Sequence, residues 1–145
     1  MTTAFRRLKS SYEALGLAID FLTREAPFDG YRAGFLAAAI KHQLASGCHI
    51  AAIRDEKLVG YAGWIRINRA SGDAWVKGEL AELTAVPQSL YDAVALTVVR
   101  AETRDVVTGL IRGCRRAEAG QQVFFKRDYS AGAGGERRST VFNAG

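Results

Sequence analysis

The apolar run VALTVVR (residues 94–100) gives way to a short polar turn and then to Arg104-Asp105-Val106-Val107-Thr108-Gly109, where helical periodicity begins. A strand that breaks into an arginine-bearing turn and a helix start has one obvious chemical use. The first backbone N–H groups of a helix have no partner within it, and its dipole puts positive charge at that end, so the turn suits a phosphate. The same residues also suit an ordinary β-to-α connection.

Other reactive side chains are few. Cys48 and Cys114 form neither a metal motif nor a disulfide framework. Cys114 falls on the apolar side of the helix that follows Arg104, where a buried thiol is expected. Cys48 opens a strand and takes the same reading, with its neighbour His49 directed to the other face. The second histidine, His42, shares a helical face with Phe35, Ala38 and Ala39 and is expected to be partly buried; His49 is placed at the sheet edge. No metal site is expected.

These residues need elements to hold them. A helix capped by Ser10 or Ser11 is predicted through about Arg24, with Tyr12, Leu15, Ile19 and Leu22 at helical spacing. Pro27 and the turn pair Asp29-Gly30 end it. A second helix is predicted over Tyr31–Ser46, with Phe35, Leu36, Ala39, Ile40 and Leu44 inward and Gly47 as its stop. CHIAAIR and LVGYAGWIRIN read as a hairpin around DEK, and RASGDA as a loop. WVKGELAELTAVP is open between helix and strand. DAVALTVVRA is a buried strand, residues 105–119 an amphipathic helix, and QQVFFKRDY the last strand. The order predicts an α+β domain over residues 1–129: a mixed, mostly antiparallel central sheet with helices on both faces, in which the last two strands flank a crossover helix. The Gly-rich stretch 130–145 is expected to be a disordered tail.

With 145 residues, 48% of them hydrophobic and 24% charged, the chain has the make-up of one ordinary globular domain. No apolar run approaches the roughly 20 residues that span a bilayer, no signal-peptide pattern opens the chain, and a cytoplasmic location is expected. The formal charge is +5. This favours an anionic partner (nucleic acid, a membrane surface, a phosphorylated cofactor or an acidic protein), or else a solvated basic surface. Arg112, Arg115 and Arg116 share the polar face of the last helix and suit an acidic protein. Nucleic acid is disfavoured, because Tyr61, Trp64, Phe124 and Phe125 lie in core-like strands rather than among the basic residues.

The order of elements resembles the GNAT superfamily of acyl-CoA N-acyltransferases, whose turn after the fourth strand reads Arg/Gln-x-x-Gly-x-Gly/Ala and wraps a pyrophosphate. Arg104 and Gly109 match the ends of that motif; Val107 stands at the close-approach glycine, and Asp105 adds a negative charge. More narrowly, EALGLAIDFLTREAPF, LAAAIKHQLASGCHIAAIRDEKLVGYAGW and QQVFFKR resemble the toxin-activating (hemolysin-activating) lysine acyltransferases. That narrower resemblance implies an acyl carrier protein thioester as donor and a protein lysine as acceptor; the wider one keeps coenzyme A as donor and a small-molecule amine as acceptor, and no permanently bound cofactor is expected. The backbone of Val98, Val99 and Arg100 would hold the donor arm, and Arg104, Thr108 and Gly109 its phosphate. A homodimer is among the assemblies it allows. The family's histidine two residues after the proline corresponds to Asp29, and its strand aspartate to Thr97. Asp29 can act as a base if burial raises its pKa, whereas both residues also suit their turn and strand without any chemistry. Two further readings follow: a GNAT-like binding module without catalysis, and an acetyl-CoA-dependent N-acetyltransferase.

Overall fold

A computed structural model describes residues 2–128 and 137–143. The elements in chain order are β1 (Ala4–Arg6), α1 (Tyr12–Leu22), a 3-10 turn (Phe28–Gly30), α2 (Ala33–Ser46), β2 (His49–Arg54), β3 (Lys57–Ile67), α3 (Arg69–Val76), β4 (Ala93–Ala101), α4 (Arg104–Ala117), β5 (Gln122–Asp128) and β6 (Arg137–Phe142). The six strands form one sheet in the order β1-β2-β3-β4-β5-β6. β1–β2, β2–β3 and β5–β6 pair antiparallel, and β4–β5 pair parallel across α4. The α+β class and the mixed, mostly antiparallel sheet are as expected. The chain divides into two compact units, Met1–Gly63 with Val98–Cys114 and Trp64–Thr97 with Arg115–Gly145.

In the first unit, Ser11 caps α1 by accepting from the Ala14 N–H at 3.1 Å. Gly47, at φ 73°, ends α2 in the left-handed conformation that glycine adopts without steric cost. The stripe of α2 is largely the predicted one, with Leu36, Ile40 and Leu44 buried beside Gln43, although Phe35 is exposed. That of α1 is rotated: Ala14, Ala18, Phe21 and Leu22 are buried, Leu15 and Ile19 only partly, and Tyr12 is exposed. On α1 alanines occupy inward positions that larger apolar residues were expected to fill. The hairpin β2–β3 closes on Asp55 and Glu56, both at positive φ, as a primed two-residue turn requires. Its register skips one residue, Val59, and the Val59 carbonyl accepts from the Glu102 N–H at 2.9 Å. Gly60 and Gly63 lie on opposite faces of β3. A Cβ at Gly60 would strike Val106 of α4 at 2.5 Å, and one at Gly63 would strike Gln43 of α2 at 1.9 Å. Helices therefore cover both faces of this strand.

In the second unit, RASGDA is not a loop. It begins α3, capped by Asn68, whose side chain accepts from the Ser71 N–H at 2.8 Å. The Asp92 carboxylate takes the Arg69 N–H, and Gly72 brings α3 onto the ring of Phe124. Composition hid this helix, since Ser and Gly argue for a loop unless a cap and a packing partner are in place. β5 is not the last strand: β6 follows within the stretch expected to be a tail and pairs with β5 from Val123↔Phe142 to Asp128↔Arg137. The rest of that tail, 129–136 and 144–145, lies outside the described residues. Neither β1 nor β6 has the apolar alternation that marks a strand, and both edge strands escaped the sequence reading.

Candidate functional site

α4 begins at Arg104, whose side chain is exposed. The Thr103 hydroxyl donates to the Asp105 carboxylate, which also meets Arg54 at 3.3 Å; Arg54 in turn donates to Thr3 Oγ1 at 2.8 Å. The Thr103 hydroxyl, followed by the residue's own backbone N–H and then Arg54, holds the Asp105 carboxyl below the usual carboxylate range. The first turn thus carries an anion already tied to neighbouring donors. Thr108 turns its hydroxyl back onto the Arg104 carbonyl at 3.2 Å. Gly109 has a packing reason for being glycine, because a Cβ there would lie 2.2 Å from the Phe5 ring. The Asp105 N–H already meets its own carboxylate and the Val107 N–H donates to the Thr103 carbonyl at 3.2 Å, so the exposed Arg104 side chain is the part of the motif available to an anion.

β4 brings the donor-strand candidates to that turn. Pairing with β5 joins Ala93–Leu96 to Gln122–Phe125, and Val98, Val99 and Arg100 come after it. Side chains alternate along the strand. Val98 enters the core formed by α1 and α2, and Arg100 lies on the same side, over Phe21 at 4.2 Å. Thr97 is exposed and points to the other face of β4, apart from the group around Arg100.

Arg100 ties the α1–α2 connection to β4. Its Nη2 meets Glu25 Oε1 at 3.2 Å, and its side chain is only 10% exposed. The connection contains a cis Ala26–Pro27 peptide and the 3-10 turn that carries Asp29. The Asp29 N–H donates to the Glu25 carbonyl at 3.1 Å, but its side chain is exposed and has no hydrogen bond or ion pair among the described residues. The burial that would make it a base is not there. Phe28, Tyr31 and Phe35 follow as an edge-to-face row with centroids 5.4 and 5.9 Å apart.

The histidines divide differently from the expectation. His42 is exposed, beside a groove of about 450 Å³ lined by Ser10, Tyr12, Leu15, Lys41 and Leu44. His49 is fully buried instead of lying at an open edge. Its Nδ1–H donates to the Gln43 carbonyl at 3.0 Å and its Nε2 accepts the Leu8 N–H at 2.9 Å, which fixes the neutral tautomer. Desolvation lowers its pKa. With both nitrogens engaged it is a structural residue. Tyr61 stacks on it and donates to Gln43 Oε1 at 2.8 Å, and burial pushes the phenol far above its ordinary value. Both cysteines are buried, as expected.

Arg112 and Arg116 are exposed on α4. Arg115 is engaged: its Nε donates to Asn143 Oδ1 at 3.2 Å and its guanidinium lies 5.2 Å from the Phe142 ring centroid. Among the described residues no group of three or more His, Cys, Asp or Glu side chains is placed to hold a metal, and no helix is long and apolar enough to cross a membrane. The sequence reading used the backbone of Arg100 and passed over its side chain. The signal was present in the alternation of VALTVVRA, which turns an arginine to the same face as Val98 and so demands a partner.

No protein-family model matches the sequence, and no curated protein matches it. Solved structures do. An arylalkylamine N-acetyltransferase-like 5b from mosquito aligns at TM-score 0.58 and 11% identity, over 86% of this chain and 76% of its own. A GNAT-family acetyltransferase from Streptococcus agalactiae aligns at 0.57 and 13%, over 88% and 76%. The GphF GNAT-like decarboxylase, solved with isobutyryl-CoA, aligns at 0.58 and 18%, over 85% and 65%. Identities this low carry the fold and leave function to the site. The chain has the GNAT-like α+β fold.

Proposed function

We propose that the protein is an acyltransferase that moves an acyl group from a thioester carrier to an amine. The observation that carries this reading is the β4–α4 unit in a GNAT-like fold. The backbone of Val98–Arg100 runs past the part of β4 that pairs with β5 and leads straight to Arg104 at the start of α4. The donor's arm hydrogen-bonds that backbone and its phosphate meets Arg104, while Thr108 and Gly109 support the turn from behind. The amine nitrogen attacks the thioester carbonyl, the thiol leaves, and the amine's proton passes to solvent, the exposed Asp29 lacking the burial that would make it the base. Thr97 has no place in this step. Coenzyme A as donor is supported by solved GNAT-like structures that hold it. An acidic acyl carrier protein is supported by exposed Arg112 and Arg116, with Arg115 behind them. The toxin-lysine acceptor rests on the sequence resemblance alone.

A binding module without turnover is the second reading, favoured by the exposed, unpartnered Asp29. The two are separated by thioester loss and donor binding measured with acyl-CoA and acyl carrier protein thioesters, with amines present. Arg104→Ala is expected to weaken donor binding about tenfold, the equivalent of one lost charge-assisted contact at ~1.4 kcal/mol. Saturable binding with no thiol release selects the module, and an Arg104→Ala variant that binds as wild type removes the site.

A further inference from the structure

Arg100 is a charged side chain, nine-tenths buried, whose guanidinium is only partly used. Glu25 meets Nη2 alone, at 3.2 Å, while Nε and Nη1 are buried without a hydrogen-bond partner among the described residues. A guanidinium offers a carboxylate two bidentate edges, Nε with Nη2 and Nη1 with Nη2. Both include Nη2, so the single contact to Glu25 half-fills either edge and completes neither. Leaving donors of a buried cation unmet is costly. Glu25 is itself 62% exposed and so is free to swing away into water. Phe21, 4.2 Å beneath, fixes the plane of the guanidinium. The Arg100 side chain meets Glu25 of the α1–α2 connection, in which Phe28 and Tyr31 follow, with Phe35 in the first turn of α2.

We infer that Arg100 is a carboxylate-recognising specificity residue: Glu25 is an internal placeholder, and a ligand that carries both an amine and a carboxylate displaces it to complete a bidentate edge. This rests on the proposed function for the identity of the site as the acceptor side, and it names the acceptor class as amino acids or their close derivatives. Arg100 positions the acceptor and takes no part in proton transfer.

The test is equilibrium binding without any donor, so that it does not depend on turnover. Isotope-labelled protein is titrated with the L-amino acids and, in parallel, with their decarboxylated amines, following the Arg100 Nε–H resonance by NMR. At least one amino acid is expected to bind saturably and to move that resonance, at least tenfold more tightly than its decarboxylated amine. Arg100→Lys, which keeps the charge and loses the fork, is expected to abolish the difference. Glu25→Gln, which retains the native Arg100, is expected to tighten binding several-fold by removing the internal competitor. Equal binding of each acid and its amine overturns the inference, as does an Arg100 resonance that responds to none of the acids, which assigns the spare donors to water. Carboxylate binding with no acyl transfer leaves this inference standing and removes the acyltransferase reading; transfer to plain amines with no carboxylate preference does the reverse.

Discussion

Gly109 shows why a motif residue has to be placed before it is interpreted. As the last position of a phosphate-binding pattern, it invites the explanation that only glycine lets backbone approach a ligand. Its neighbour is instead the Phe5 ring, which a Cβ would approach to 2.2 Å. Gly109→Ala is therefore expected to destabilise the protein by ~1–3 kcal/mol through overpacking. The additional truncation Phe5→Ala should recover most of that loss, because Phe5 is a half-exposed side chain on a three-residue edge strand. Thermal melts of the single and double variants decide this. Donor binding measured in the double variant separates packing from a phosphate role: binding at wild-type strength leaves Gly109 with packing alone. Arg100 is the converse case, a residue taken for its backbone whose side chain proves to be the more demanding group.

At the scale of elements, β1 depends on side chains from beyond its own ladder. The Leu8 N–H rests on His49, Arg7 donates to the Gly47 carbonyl at 2.9 Å, and Thr3 accepts from Arg54. The neutral His49 can accept from Leu8, and its protonated form cannot. The groups facing it are the Tyr61 ring, the Gln43 carbonyl, the Leu8 N–H and Arg7, and the charged one among them, Arg7, also disfavours the imidazolium. Because the folded pKa lies below the ordinary 6.5, the unfolded chain binds the extra proton first. Stability is therefore complete above about pH 6.5 and declines as pH falls from there towards the folded value. Urea midpoints are expected to fall between pH 7.5 and 5.5 in the wild type, with amide exchange at Leu8 accelerating in step. His49→Gln keeps an acceptor for Leu8 and should flatten that decline. A decline of equal size in the variant assigns it to other groups. Asp105 works in a separate window, since a depressed carboxyl pKa withdraws its contribution only as pH falls into the acid range.

For the whole molecule, β6 has the largest consequence. It pairs with β5 along six residues and brings Phe142 and Asn143 to Arg115. Removing residues 129–145 is expected to bare the β5 edge, lower the melting temperature and promote concentration-dependent association, which light scattering would detect. A truncated protein that melts as the full chain does and stays monodisperse would show that β6 is dispensable. The class of fold was legible because it follows from local chemistry. Ser11 is a helix cap, Gly47 a helix stop, and apolar strands flank an amphipathic α4. These signals need only neighbours along the chain. The candidate turn at Arg104 was legible for the same reason. Elements whose stability comes from elsewhere were not: α3 stands on Asp92 and Phe124, β1 on His49 and Arg54, and β6 on β5. The inward stripe of α1, with Ala14 and Ala18 buried, was also settled by packing against the rest of its unit. Sequence by itself determined the α+β class, the order of the locally encoded elements from α1 to β5 apart from α3, and the turn at Arg104 as a candidate site. Tertiary structure alone decided that Asp29 is exposed and that Arg100 is held half-paired over Phe21. Burial and pairing depend on residues far apart in the chain, and no local pattern contains them.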